Sequence, residues 1–146
     1  MAFKIVVGYD GSPGAKAALD EGIDLARRLS GTVLVTYAYG GPKSYAGAPL
    51  TPRSALKELG QKLLAEALEQ AGHNGVAIEP VLVNESAAAG LLSVAHKQGA
   101  AFVVVGSRGE SPISGMLLGS TAYRLVHTAT KPVLVVPVAK RQRKAA

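Results

Sequence analysis

The chain has 146 residues, 48% hydrophobic, 18% charged and 5% aromatic, which fits one globular domain and excludes disorder for the bulk of it. It contains no cysteine, which excludes a disulfide scaffold, thiolate metal sites and a cysteine nucleophile. Sixteen basic against ten acidic residues give a net charge of +6, a balance that first points to an anionic partner.

Residues 4–10, Lys-Ile-Val-Val-Gly-Tyr-Asp, open on a β-branched apolar run, the pattern of a strand covered on both faces. Ser12 followed by Pro13 predicts a helix start, a hydroxyl cap and then a proline in the first turn. Leu19, Ile23, Ala26 and Leu29 recur at spacings of three and four, with Lys16–Asp20 and Asp24–Arg28 as i,i+4 pairs on the other side, and Ser30-Gly31 ends the helix. Residues 32–39 form a second predicted strand. The 13 residues from Gly40 to Pro52 carry three glycines and three prolines, so no regular element survives there. The segment exceeds the usual strand-to-helix connection of roughly 2 to 6 residues and predicts a flap that orders over a ligand.

Leu56, Leu59, Leu63, Leu64, Ala67, Leu68 and Ala71 build a second helix, stopped at Gly72. A third strand follows over 77–83, then a helix over 87–98 with Leu91, Leu92 and Ala95 inward. A fourth strand over 101–105, a short helix over 120–128 and a fifth strand over 132–138 complete the pattern. Strict strand–helix alternation implies an α/β fold, a Rossmann-like open sheet of five parallel strands with helices on both faces. The expected order is 3-2-1-4-5, which places the reversal of strand order, and hence a ligand site, between the carboxyl ends of strands 1 and 4.

Two loops meet at that reversal. After strand 4 come four glycines, Gly106, Gly109, Gly115 and Gly119, then Ser120 and Thr121 at a helix start. Glycine lets a backbone come close to a ligand, and the free N–H groups of a helix's first turn favour an anion, so this reads as a phosphate cradle. Arg108 lies inside it, either toward a β- or γ-phosphate or out into solvent. After strand 1 the loop is Gly8-Tyr9-Asp10-Gly11-Ser12. Asp10 suits a ribose hydroxyl, a purine amino group or a phosphate-bound metal, and equally suits the start of a helix.

Gly106-x2-Gly109-x9-Gly119-Ser120 resembles the nucleotide-binding signature of the universal stress protein family, and residues 6–12 and 131–137 are similar to that family's first and last strands. The resemblance runs from about residue 4 to 138, nearly the whole chain. It implies an ATP-binding regulatory or stress-response protein, usually a homodimer, that holds ATP, ADP or AMP with or without Mg²⁺. It implies that Asp10, flanked by Gly8 and Tyr9, holds the adenine or ribose end, that Ala38 lies against the base and that Val105 and Gly106 line the floor. Gly109, Gly119, Ser120 and Thr121 would then wrap ribose and phosphates. The run Asn84-Glu85-Ser86-Ala87 departs from the family pattern, which has a glycine before the third helix.

A Walker A loop is absent, the site loops offer only Asp10 and Glu110 as acids, and none of the three histidines is expected near them. Binding with at most weak ATP hydrolysis is therefore expected, ahead of a slow ATPase or nucleotidyl-transfer enzyme on the same fold. Apolar runs of four to six residues are too short to cross a bilayer, and the N-terminus lacks a secretory h-region, so a cytoplasmic protein is expected. Lys140, Arg141, Arg143 and Lys144 leave only +2 on residues 1–139 when set aside. Residues 140–146 thus read as a solvated basic tail on a single domain, and nucleic acid is the least favoured partner. The edge run Val133 to Val136 is apolar and uncharged, which predicts pairing with the same strand of a second copy.

Overall fold

Lys4–Gly8 (β1) forms the central strand of a five-stranded, all-parallel sheet in the computed structural model, which describes residues 3–40, 52–72, 75–108 and 118–138. Pro13–Leu29 (α1), Thr32–Ala38 (β2), Arg53–Ala71 (α2), Ala77–Val83 (β3), Ala87–Gln98 (α3), Phe102–Gly106 (β4), Ser120–Thr128 (α4) and Val133–Val136 (β5) follow. The order is β3-β2-β1-β4-β5, as the alternation implies, with β1 pairing β2 on one side and β4 on the other.

The side chains of β1 separate by parity. Ile5 and Val7 join Leu19, Ile23, Leu64 and Ala67 beneath α1 and α2. Val6 joins Leu34, Leu91, Val94, Val103 and Leu125 beneath α3 and α4. Ile5, Val6 and Val7 are all fully buried, which is why this run carries no polar residue.

The start of α1 is the predicted one. Ser12 is extended and its Oγ accepts from the Ala15 N–H at 3.2 Å, with Pro13 in the first turn. At the other end Arg28 Nε meets Asp24 at 3.1 Å and Arg27 meets it at 3.6 Å. The left-handed residue there is Ser30, with φ 55°, rather than Gly31. Gly31 is needed for a different reason, because a Cβ on it would lie 2.7 Å from the Phe3 carbonyl oxygen.

α2 forms as expected but buries a narrow face, and the bounds of β5 are corrected. In α2 the buried residues are Gly60, Leu64, Ala67 and Ala71, while Leu59 and Leu68 stand exposed. The helix covers one edge of the sheet, so its apolar stripe is narrower than seven periodic positions suggest. β5 spans four residues rather than seven, because Pro132 and Pro137 bring no N–H to the ladder. The flap expected over 40–52 falls, beyond Gly40 and Pro52, outside the described residues. Among the described residues no helix is long and apolar enough to cross a membrane.

Candidate functional site

A cavity of about 280 Å³ opens at the carboxyl ends of β1, β2 and β4. Its inner wall follows from strand register. Gly8 pairs with Thr36, and Val7 with Val104, so Thr36, Gly8 and Val105 form one row on the α3 side of the sheet. A Cβ on Gly8 would lie 2.9 Å from Leu91 Cδ1 and 3.2 Å from Val105 Cγ1. Glycine at this position is thus what lets α3 close down on the strand ends. Ala38, Ala87 and Ala122 add short apolar side chains around the same wall. Thr36 is buried and its hydroxyl donates to the Leu34 carbonyl at 3.0 Å, so the polar atom in this wall is satisfied.

The turn after β1 is held by Asp10, whose Oδ1 accepts from the Ser12 N–H at 3.0 Å. Gly11 takes φ 82° within it, a conformation L side chains rarely adopt. Asp10 therefore shapes the approach to α1 with one carboxylate oxygen while it borders the cavity. Tyr9 borders the cavity too, but its ring belongs to the α1/α2 cluster and its hydroxyl donates to Gln70 Oε1 at 3.3 Å. Burial, and then Glu66, Asp10 and Asp20, push its pKa up.

Beyond β4, Gly106 packs directly on the first turn of α1. A Cβ there would lie 2.5 Å from the Gly14 carbonyl carbon, and a Cβ on Gly14 would collide with the Arg108 carbonyl. Gly106 thus has a packing duty as well as a place on the cavity wall. Ser107 ties the neighbouring elements together. Its N–H donates to Val136 at 2.8 Å, its carbonyl accepts from the Gly119 N–H at 2.6 Å and its hydroxyl accepts from the Val138 N–H at 3.4 Å. α4 then starts at Gly119, which supplies no side-chain cap, and Gly119, Ser120, Thr121 and Ala122 all border the cavity. Among the described residues no side chain caps this turn, and such a turn presents N–H donors and the positive end of the helix dipole.

The structure brings Gly8, Tyr9, Asp10, Ala38, Val105, Gly106, Arg108, Gly119, Ser120 and Thr121 to one cavity. Gly109 lies outside the described residues. Ser12, Ala15, Thr36, Tyr37, Ala87, Leu91 and Ala122 border it without having been singled out. Thr36 and Leu91 were recoverable in principle, by parity with Ala38 along β2 and by the inward face of α3. Ala87 shows that the missing glycine before α3 does not remove this helix from the site. Ser86 sits extended before the first turn, with φ −65° and ψ 160°, a geometry any residue adopts, and Asn84 instead accepts from Arg53 Nη1 at 3.4 Å.

His96 and His127 are placed elsewhere, His96 Nε2 against the Thr130 hydroxyl at 3.0 Å and His127 Nδ1 against the Tyr123 carbonyl at 2.8 Å. His73 lies outside the described residues. Asp10 is the one acidic side chain on the described cavity wall.

Known proteins are similar to this chain in sequence and in fold. Universal stress protein YxiE of Bacillus subtilis is 32% identical, with 91% of this chain and 97% of that one covered. A protein of the universal stress protein family from Burkholderia pseudomallei has a crystal structure 30% identical, with a TM-score of 0.71 over 92% of this chain and 95% of that one. A universal stress protein crystallised in complex with cAMP is 26% identical, with a TM-score of 0.72 over 94% of this chain and 98% of that one. The sequence profile of the universal stress protein family itself matches residues 1–137. With the signature glycines, the strand order and these relatives in agreement, the chain belongs to the universal stress protein family.

Proposed function

We propose that this chain is a cytoplasmic, ATP-binding regulatory protein that holds an adenine nucleotide in the cavity between β1 and β4 and acts by binding it rather than by turning it over. The observation that carries this reading is the joining, in one cavity, of the Asp10 turn, an apolar wall at Ala38 and Val105, and the uncapped first turn of α4. A base needs a flat apolar surface, a ribose or amino group needs an acceptor, and phosphates need clustered donors; this one cavity is bordered by residues of all three kinds. The relative crystallised with cAMP supports an adenine nucleotide as the class of ligand. A bound Mg²⁺ would depend on phosphate oxygens and water for its shell, since the described wall contributes one carboxylate.

Asp10→Asn separates the two duties of this residue. The amide oxygen can still accept from the Ser12 N–H, while the ligand meets a donor in place of an anion. The expected result is unchanged stability and a loss of about tenfold or more in ATP and AMP affinity by titration calorimetry. Equal affinity in the two proteins would remove Asp10 from the site. Mass spectrometry of nucleotide released from the purified protein identifies the natural occupant, and a turnover assay on the same sample separates binding from catalysis.

The assembly we propose is a homodimer through the β5 edge. Among the described residues β5 pairs only with β4, and Leu134 is 39% exposed on it. Val133 and Val135 face the α3/α4 cluster, so Leu134 is the clean probe of the edge. Leu134→Lys is expected to give a monomer in sedimentation at micromolar concentration and to leave nucleotide affinity within about twofold. A wild-type monomer under the same conditions would overturn the dimer.

A further inference from the structure

We infer that the surface running from the strand-start pole of the sheet onto the exposed face of α4 docks single-stranded nucleic acid, with Lys4, Lys97, Arg124 and Lys131 meeting phosphates and Tyr123 offering its ring to a base. The surface lies at the opposite end of the strands from the cavity and uses none of the cavity wall, so it does not depend on the nucleotide reading.

Register gathers the cations. Ile5 pairs with Phe102, and Val103 with Val133, so Lys4 and Lys131 stand one strand to either side of Ala101. Neighbouring strands are about 4.8 Å apart, which sets these two lysines, from opposite ends of the chain, about 10 Å from one another. Both reach the turn after α3: Lys4 Nζ donates to Gln98 Oε1 at 3.2 Å and Lys131 Nζ to the Ala100 carbonyl at 2.6 Å. An ammonium group carries further donors beyond the one each bond uses, and Lys97 stands exposed beside the same turn. His96 Nε2 lies 3.0 Å from the Thr130 hydroxyl and so links the end of α3 to the turn after α4. One turn back along α4, the His127 and Tyr123 rings lie 4.3 Å apart, and Tyr123 is 55% exposed.

Charge is divided between the two faces of the sheet. α1 and α2 each balance three cations with three carboxylates, whereas α3, β4, α4 and β5 carry Lys97 and Arg124 and no carboxylate. From residue 86 to 138 the sequence holds a single acid, Glu110, four positions past the carboxyl end of β4. Among the described residues none of Lys4, Lys97, Arg124 and Lys131 has a carboxylate within ion-pair distance. A second copy would meet this face with the same cations, so like charges oppose self-association through it. Flexible ammonium groups serve a run of phosphates without fixed geometry, and an exposed ring stacks on a base of any identity. An acidic polypeptide shares the charge but brings no base for the ring. The sequence sets nucleic acid last because it shows these cations scattered; the sheet collects them.

The test measures binding of a fluorescent oligothymidine of about 12 nucleotides by anisotropy, at salt from about 50 to 300 mM. Four phosphate contacts predict a slope of log affinity on log salt of about −3. The triple variant Lys4→Gln, Lys97→Gln and Lys131→Gln is expected to lose about tenfold or more at low salt and to flatten the slope to about −1. A control with Lys16→Gln, Lys57→Gln and Lys62→Gln removes the same charge from α1 and α2 and should stay within about twofold of the wild type. Tyr123→Leu should lose about fivefold or more while keeping the slope, since stacking releases no counterions. Thermal midpoints by circular dichroism, expected to match the wild type, confirm that each variant is folded. A wild type that does not bind, a triple variant that binds as well as the wild type, or an equal loss in the control overturns the inference. Displacement of the oligonucleotide by polyglutamate together with an unaltered Tyr123→Leu affinity also overturns it, and assigns the face to an acidic protein segment.

Discussion

Gly106→Ala is expected to lower stability by about 2 to 3 kcal/mol and to weaken nucleotide binding with it. The added Cβ would lie 2.5 Å from the Gly14 carbonyl carbon and 2.6 Å from its oxygen. Both are backbone atoms, so the clash cannot be relieved by a rotamer change; β4 and the first turn of α1 must move apart. Those two elements carry opposite parts of the cavity wall, Gly106 and Arg108 on one, Ser12 and Ala15 on the other. Denaturant midpoints measure the first effect and calorimetry on the folded fraction the second. Gly14→Ala meets the Arg108 carbonyl across the same approach, so the double variant should cost clearly less than the sum of the two single ones. Additive costs, or an unchanged midpoint for Gly106→Ala, would mean that the approach is not tight in solution.

Leu125→Ala is expected to cost about 3 kcal/mol. Leu125 is fully buried, and with Ala122 it makes up the buried face of α4. It packs in the cluster that contains Val6, Leu34, Leu91 and Val103, where well-packed strands leave little room for collapse around a void. The consequence reaches the ligand, because the first turn of the same helix borders the cavity. Hydrogen exchange should quicken in α4 more than in β1, and affinity should fall by more than the stability change alone explains. Val126→Ala on the exposed face of the same helix is the reference, expected within about 0.5 kcal/mol of the parent. Equal effects at 125 and 126 would show that α4 is not anchored through its buried face.

Much of this molecule is written in local pattern. The β-branched run before Gly8, the Ser12-Pro13 start, the three-and-four spacing of Leu19 to Ala26 and the glycine spacing after β4 each report which face or which end of an element a residue occupies. Alternation of strand and helix then leaves a parallel sheet, and a parallel sheet wound on both sides has its crevice at the reversal of strand order. The placement of Asp10, Ala38, Val105 and Gly119 at one rim follows from those rules, since each is near the carboxyl end of a strand or the start of the helix after it.

Local pattern does not report which surfaces approach one another. Leu59 and Leu68 share the periodicity of Leu64 yet stand exposed, because the extent of the sheet beneath α2 decides how wide a stripe is covered. The reason for Gly106 lies at Gly14, far away in the chain, and the reason for Gly31 lies at Phe3, while the left-handed turn itself falls on Ser30. Sequence alone therefore determined the element order, the sheet and the rim where the cavity opens, because periodicity and turn chemistry act within a few residues. Tertiary structure alone decided the close approaches and the neighbours of the site, because excluded volume acts between segments that sequence spacing does not relate.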